Sequence, residues 1–307
     1  MPDFTVDPAT VLAALGIERV TGATPVYGGW DTLLWKVEHD GAAYALRLFR
    51  TEQVEVCRRE VAALHAAAAH GIPVPRIRRE GTWEGRPALL LSWCPGALLL
   101  EALRRAPGQV WPLGLAFGQM QARIHAVPAP EPLRARGDAW IERAGPDETE
   151  LKARLRALDL EQDALLHLDY HPLNVLVAAG RITCVLDWAN AAAGDPRADL
   201  ARTLTLLRLA PAPPGSPWLR LTLLRRLLEL AWRRGYRQQW GAWPGNMGVF
   251  YAWAGATMAR ELTPRLRLPQ AWITAQDLVR IHRWTVSWKR RAGIAPASAP
   301  EASAGTR

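Results

Sequence analysis

The feature that most constrains the fold is a short polar loop enclosed by apolar strands near the middle of the chain. Residues 165–168 are apolar apart from His167, 169–174 form the polar loop, 175–178 are apolar again, and a turn then leads into 182–187. Short apolar runs separated by turn residues predict a strand, a loop and a β-hairpin. The pattern therefore predicts that the loop and the far end of the hairpin lie side by side.

Three polar side chains fall at this junction: Asp169 and Asn174 in the loop, and Asp187 at the end of the last strand. An aspartate can accept the proton of a hydroxyl group, while an amide and a second carboxylate can hold Mg²⁺ on the phosphates of a nucleotide. A capped turn is the alternative interpretation of the loop alone. The flanking strands and the second Asp favour a phosphoryl-transfer site.

Three motifs in this block point to a known family. They are His167-x-Asp169-x-x-x-x-Asn174, Leu186-Asp187-Trp188 and Gly194-Asp195-Pro196-x-x-Asp199-Leu200-Ala201. The sequence resembles the aminoglycoside phosphotransferase/choline kinase family in these residues, and more loosely over roughly residues 20–290. The resemblance implies an α+β, protein-kinase-like fold of two lobes. It also implies that Asp169 is the catalytic base and that Asn174 and Asp187 are ligands of Mg²⁺.

The function implied by the resemblance is transfer of the γ-phosphate of ATP or GTP to a hydroxyl of a small molecule. An aminoglycoside-like antibiotic, a choline-like alcohol and a sugar are the acceptor classes that this family suggests. Direct in-line transfer, without a covalent intermediate on the enzyme, is the expected mechanism.

Two lobes and a tail are expected from the resemblance and from local patterns. Residues 1–94 are expected to form a nucleotide-binding lobe, mostly β with one helix. Residues 95–291 are expected to form a helical lobe that carries the catalytic hairpin, 165–187, and the acceptor pocket. The Ala-, Pro- and Ser-rich residues 292–307 predict a disordered tail.

The resemblance also assigns residues of the first lobe to the nucleotide. Arg47 lies on the third predicted strand, where the family places a Lys or Arg against the phosphates, and Glu60 on the next helix is its natural ion-pair partner. An exposed Arg and an exposed Glu are the alternative. A glycine turn and the hinge between the lobes complete the expected nucleotide-binding residues: Gly28, Gly29, Ser92, Trp93 and Cys94.

Other residues of the motifs are expected to support the catalytic loop. His167 is interpreted as structural. Asp195 and Asp199 are expected to accept hydrogen bonds from backbone N–H groups of the loop, because buried amides need acceptors. His171, inside the loop and next to Asp169 in space, is a candidate substrate contact.

Cysteine usage and the chain ends suggest the compartment. The three cysteines, Cys57, Cys94 and Cys184, are odd in number and lack metal-ligand spacing, so neither a disulfide scaffold nor a zinc site is expected. There is no basic start before an apolar segment and no long uncharged apolar run. A cytoplasmic protein without a signal peptide or a membrane-spanning helix is therefore expected.

The charge of the second half bears on the acceptor. Residues 201–307 hold 17 Lys and Arg against 4 Asp and Glu. Aminoglycosides are polycations that require several carboxylates, so we hypothesise a different acceptor unless the acidic residues within 138–163 supply the charge. Tight binding of kanamycin-like polycations in calorimetry would contradict this. Eight tryptophans of this half could cage a quaternary ammonium or stack on a sugar, although packing in the core is the alternative for most.

Two other classes of function stay open at this stage. A pseudokinase would bind nucleotide and regulate a partner, but all three catalytic positions are intact. A nucleic-acid-binding protein could use the basic face of 202–291, and its affinity would then fall steeply with salt. No nucleic-acid-binding motif accompanies that charge, so this class is not favoured. The sequence gives no oligomeric state.

Overall fold

The computed structural model describes residues 6–18, 20–26, 32–211, 218–268 and 273–294. Its first part is an antiparallel sheet whose strands lie in the order β1-β2-β3-β5-β4. The strands are β1 (Gly22–Pro25), β2 (Leu33–His39), β3 (Ala42–Leu48), β4 (Ile77–Trp83) and β5 (Arg86–Ser92).

Tight turns set the register of this sheet. Asp40 and Gly41 both have positive φ, of 48° and 73°, as a two-residue hairpin turn requires, and they pair β2 with β3. Alternate residues of β2 are buried, among them Trp35 and Val37. Helix α1 (Pro8–Ala14), which the strand patterns did not reveal, begins at the capping residue Asp7 and packs on this buried face.

Helix α2 (Val54–Ala69) connects β3 to β4, and most of the remaining chain is helical. The helices that follow are α3 (Leu99–Arg105), α4 (Val110–His125), α5 (Glu131–Arg134), α6 (Thr149–Arg156), α7 (Pro196–Leu209), α8 (Trp218–Trp240), α9 (Gly248–Leu262) and α10 (Ala275–Arg291). Within the described segments, none of the helices has both the length and the apolar character needed to cross a bilayer.

The predicted hairpin is present, and further short strands lie beside it. Strands β8 (Val175–Ala178) and β9 (Arg181–Val185) pair antiparallel, and β6 (Ala97–Leu98) extends them to three strands. Strand β7 (Ala164–Leu166) pairs instead with β10 (Ala192–Gly194). The catalytic loop, residues 167–174, thus runs from one small sheet into another, and both of its ends are fixed by backbone hydrogen bonds.

One expectation about cysteine is wrong. Cys94, just after β5, and Cys184, on β9, form a disulfide across a Cα–Cα distance of 6.2 Å, although 90 residues separate them. Only the folded chain brings the two strand ends together, so spacing along the sequence could not reveal the pair. Cys57 remains a free, buried thiol.

Helices α4 and α8 pack with their backbones in contact. A Cβ atom added at Gly118 would lie 2.0 Å from the carbonyl oxygen of Trp232, and one added at Gly235 would lie 2.1 Å from that of Leu115. Glycine at both positions therefore allows a helix separation that alanine does not. The contact matters for the site because α4 carries two side chains that hold the catalytic loop.

We expect Gly235→Ala to lower the free energy of unfolding by about 1–3 kcal/mol, the usual cost of overpacking. Denaturant unfolding monitored by tryptophan fluorescence would measure it. Gly108→Ala is the matched control, because a Cβ there meets nothing within 4 Å. Equal stability of the two variants would contradict the close approach of α4 and α8.

Candidate active site

The catalytic loop brings Asp169 and Asn174 together. Asn174 donates from Nδ2 to the backbone carbonyl of Asp169 at 2.9 Å and to its Oδ2 at 3.2 Å. The backbone carbonyl of Asn174 accepts from the N–H of Leu186 at 2.8 Å, which anchors the loop to the segment that leads to Asp187. The Asp169 side chain remains 22% exposed. A substrate hydroxyl can therefore reach it.

Asp187 follows β9 in the left-handed region, with φ of 59°, a conformation that Asp adopts more readily than most residues. Its side chain is 43% exposed and its Oδ1 accepts a hydrogen bond from Arg47 Nη2 at 3.2 Å. The turn directs the carboxylate away from the strand and toward the sheet of the first part of the chain.

Arg47 connects the sheet to the catalytic segment. Its guanidinium forms an ion pair with Glu60 of α2 and donates from Nε to Thr32 at 3.1 Å, besides its contact with Asp187. Burial raises the pKa of Glu60 to about 7, although the charge of Arg47 opposes this. The ion pair predicted between β3 and α2 is thus present, and neither partner is an exposed surface charge.

The carboxylate of Asp199 is the centre of a buried network. It accepts from the backbone N–H of Leu168 at 2.6 Å and of His167 at 3.3 Å. Two side chains of α4 also donate to it, His125 through Nε2 at 2.9 Å and Gln121 at 3.2 Å. Burial alone would raise the pKa of Asp199, but these hydrogen bonds, chiefly that of His125, hold it below its usual range.

Asp195 makes contacts different from those predicted. It caps α7 by accepting from the N–H of Arg197 at 2.9 Å, and it accepts from the N–H of Glu161 at 3.2 Å. Its position before Pro196, at the first residue of the helix, explains this role. Asp199, one turn further along α7, is the residue that reaches the catalytic loop.

Both histidines of the loop are ordered by hydrogen bonds. Buried His167 donates from Nε2 to the carbonyl of Leu186 at 2.9 Å and accepts from the N–H of Asp169 at 3.3 Å. His171 accepts from the N–H of Leu173 at 3.2 Å, and its Nε2 lies 3.6 Å from Asp169 Oδ2. His171 therefore faces the reactive carboxylate, whereas His167 holds the backbone beneath it.

The predicted hinge residues lie where β5 ends. Ser92 donates its N–H to the carbonyl of Arg76 at 2.8 Å, and Trp93 donates its N–H to the carbonyl of Ala43 at 3.2 Å. These two N–H groups are therefore engaged within the protein. Gly28 and Gly29, assigned to the nucleotide loop, lie outside the described residues.

Sequence reasoning missed a group of charged residues beside Asp169. Arg202 on α7 donates to the carbonyl of Leu168 at 3.2 Å and to Glu261 at 2.7 Å. Arg143 donates to Asn190 at 2.8 Å and to the same Glu261 at 3.2 Å. The position of Arg202, three residues after Asp199 and hence on the same helix face, was the one local signal that could have revealed it.

The polar atoms at the site fit a magnesium ion bound together with phosphate. Among the described residues, no group of three or more His, Cys, Asp or Glu side chains could hold a metal. Asn174 and Asp187 offer hard oxygen atoms, and Mg²⁺ is commonly held by one or two protein ligands while substrate phosphates and water complete its shell.

Comparison with known proteins gives a family and a fold. A family model described as the phosphotransferase enzyme family matches residues 22–244. A thermostable mutant of aminoglycoside phosphotransferase APH(4)-Ia, solved with AMP-PNP and hygromycin B, is 14% identical, with a TM-score of 0.63 over 94% of this chain and 100% of that one. No protein of curated function matches.

Two further solved structures share the architecture. Aminoglycoside-3'-phosphotransferase of type VIII is 22% identical, with a TM-score of 0.55 over 81% of this chain and 99% of its own. Aminoglycoside phosphotransferase APH(3'')-Id from Streptomyces rimosus is 17% identical, with a TM-score of 0.55 over 84% and 99%. Likeness at these identities is a likeness of fold, and it confirms the predicted α+β, kinase-like class.

We expect Asp199→Asn to lower the free energy of unfolding at pH 7 by about 3 kcal/mol, because an amide NH₂ would then face buried N–H donors. The pKa of Asp199 is lower in the folded state, so its contribution is present above its unfolded value of about 3.9 and is lost as the pH falls through the folded value. Denaturant unfolding of wild type and variant at pH 7 and at a series of pH values below 4 would show the difference shrinking as the pH falls.

Asp195→Asn is the matched control, since Asn also caps helices well and the change should cost less. A loss for Asp199→Asn no larger than that of the control would contradict the central role of Asp199.

Proposed function

The chain belongs to the phosphotransferase enzyme family, and on that basis we propose that it transfers the γ-phosphoryl group of ATP or GTP directly to a hydroxyl of a small molecule, with Asp169 as the base. The observation that carries the proposal is the hydrogen bonding of Asn174 to Asp169 and to Leu186, the neighbour of Asp187, whose carboxylate in turn contacts Arg47. Such a group of side chains suits an in-line displacement on a nucleotide phosphate.

Asp169 is suited to orienting the acceptor hydroxyl. Burial raises the pKa of its carboxyl, but the interaction with the His171 ring and the charge of Arg202 outweigh burial and hold the pKa well below its usual range. The carboxylate is therefore ionised at neutral pH and accepts a hydrogen bond from the hydroxyl. A weak base suffices, because little proton transfer is needed before the transition state when phosphoryl transfer is loose.

Arg47 would hold the phosphates of the nucleotide. Its ion pair with Glu60 and its bond to Thr32 fix the guanidinium at the edge of the sheet. Arginine stays charged and presents its donors in a rigid fork, which suits phosphate oxygens. The purine would pair with backbone groups of the hinge, where the Trp93 carbonyl and the Cys94 amide are the groups we assign to it.

Asn174 and Asp187 would hold Mg²⁺ through Asn174 Oδ1 and the Asp187 carboxylate. The Nδ2 of Asn174 is committed to Asp169, which leaves its Oδ1 for the metal. When bound, the ion would neutralise charge on the phosphate oxygens. The protein groups themselves position the donor and the acceptor on opposite sides of the transferred group.

This assignment gives each part of the chain a role. We propose residues 1–94 as the nucleotide-binding lobe and 95–291 as the lobe that binds the acceptor. The predicted disordered tail, 292–307, is wrong at its start, because Ile294 is buried in the main core and donates its N–H to the carbonyl of Lys289; the rest of the tail lies outside the described residues.

The cytoplasm is the compartment we propose, because it supplies ATP; cysteine usage no longer supports this choice, since Cys94 and Cys184 form a disulfide. The intact catalytic residues and the family membership favour an enzyme over a pseudokinase or a nucleic-acid-binding protein.

We expect Asp169→Ala to lower kcat by roughly 10²–10⁴, the usual worth of a positioned base, with little change in nucleotide affinity. Acceptor-dependent ATP consumption and nucleotide binding by calorimetry would measure the two effects separately. Asp163→Ala, at an exposed aspartate, is the matched control. Full turnover by Asp169→Ala would remove Asp169 from the role of base.

We expect Asp187→Asn to raise the Mg²⁺ concentration for half-maximal turnover by about tenfold or more, since one anionic oxygen ligand is lost. Asn is preferable to Ala here because it tolerates the positive φ of 59°. A magnesium titration of turnover in wild type, Asp187→Asn and Asp163→Ala would measure it. A titration curve identical to that of wild type would argue against Asp187 as a ligand.

A further inference from the structure

The acceptor side of the cleft has more cationic donors than it has carboxylates to pair with. Arg143 and Arg202 both bind Glu261, and Arg59 of α2 donates from Nη2 to the carbonyl of Ala189 at 3.2 Å. Arg59 and Arg143 therefore contact the segment that follows Asp187, and Arg143 shares its one carboxylate, Glu261, with Arg202. Such an excess of positive charge is what an anionic ligand would complete.

Two of these arginines have N–H groups that make no hydrogen bond within the described part of the chain. Arg202 is only 1% exposed, and its Nη1 is buried without a hydrogen-bond partner in the described part of the chain. Arg59 Nε is likewise buried and unpartnered there. Unsatisfied buried donors are costly, so a pair of them within one charged cluster indicates that an acceptor group from outside the protein belongs nearby.

Arg143 is the member of the cluster that a small molecule can reach. Its side chain is 25% exposed, and its contacts are to Asn190, three residues after Asp187, and to Glu261. Arg202 donates to the carbonyl of Leu168, the residue before Asp169, and shares Glu261 with Arg143, which places the cluster beside Asp169. A substrate whose hydroxyl meets Asp169 can therefore present a second group to Arg143.

Carboxylates that could receive the ammonium groups of a polycation are already paired. Glu261 is held by two arginines, Glu229 by Arg208 and Arg233, and Asp277 lies at the cap of α10 with Arg280.

Three carboxylates of the acidic segment 138–163 are paired too. Glu142 binds Lys152 and Arg156, Asp138 binds Arg156, and Glu148 binds Lys289. Binding of several ammonium groups would have to break these pairs.

Resting on the proposed kinase function, we propose that the acceptor is a hydroxylated small molecule that carries an oxyanion, a carboxylate or a phosphate ester, and that Arg143 binds this group beside Asp169 while buried Arg202 adds positive charge behind it. A guanidinium group suits an oxyanion because its donors form a rigid fork. The same cluster would repel a cationic acceptor, so charge becomes the basis of selection.

The test uses six-carbon polyols that differ in one charged group. D-Gluconate and sorbitol 6-phosphate are the anionic members, sorbitol is neutral, glucamine is cationic, and kanamycin represents the polycations. Calorimetry of each with the full chain and Mg²⁺·AMP-PNP gives binding, and ATP consumption gives turnover. The two anionic probes distinguish a carboxylate site from a phosphate site.

We expect at least one anionic member to bind about tenfold or more tightly than sorbitol or glucamine, the size of effect typical of hydrogen bonds to a charged group. Arg143→Gln should remove most of this preference and leave nucleotide affinity unchanged, while Arg143→Lys should keep part of it. Arg154→Gln, at an exposed position on α6, is the matched control and should behave as wild type.

Tighter binding of glucamine or kanamycin, a preference that survives Arg143→Gln, or no binding of either anionic member would each overturn the inference. These failures differ from failure of the proposed kinase function. That function fails if nucleotide does not bind or if Asp169→Ala retains acceptor-dependent turnover, whatever the charge of the acceptor.

Discussion

The catalytic loop depends on one buried carboxylate, that of Asp199. Its two oxygens take the N–H groups of His167 and Leu168, and this holds Leu168 in the left-handed region, with φ of 60°. A non-glycine residue in that region costs roughly 1–3 kcal/mol and persists only where its surroundings enforce it. The turn at Leu168 sets the direction of Asp169, so the carboxylate of Asp169 is positioned by the contacts of α7 and α4 with the backbone before it rather than by the loop itself.

This arrangement links distant parts of the chain to the base. His125 binds Asp199 with one ring nitrogen and the hydroxyl of Tyr236 on α8, at 3.0 Å, with the other. Gln121 likewise joins Asp199 to Trp232 of α8. The backbone contact between α4 and α8 keeps His125 and Gln121 within hydrogen-bond distance of Asp199. The orientation of Asp169 therefore depends on the hydrogen bonds of Asp199, and these depend in turn on the packing of α4 against α8.

The sequence predicted contacts between residues that are close together along the chain, but not contacts between residues that are far apart along it. Spacing within residues 165–187 predicted the hairpin and the meeting of Asp169 with Asn174, because both follow from a few neighbouring residues. Asp195 illustrates the limit: its contacts depend on where α7 begins and on Glu161. The disulfide of Cys94 with Cys184, and the sharing of Glu261 by two arginines, join residues far apart in sequence. Periodicity and motif spacing carry no information about such pairs.

The shared carboxylate of Glu261 has an evolutionary consequence. Two guanidinium groups keep it from binding an ammonium, yet the carboxylate is already in place beside the base. Loss of the more exposed arginine, a change at one codon, would leave Glu261 with one partner and a free oxygen. Under the proposed assignment, one substitution would turn a site for an anionic acceptor into one with a carboxylate free to bind an amine, which is a short evolutionary path between acceptors of opposite charge.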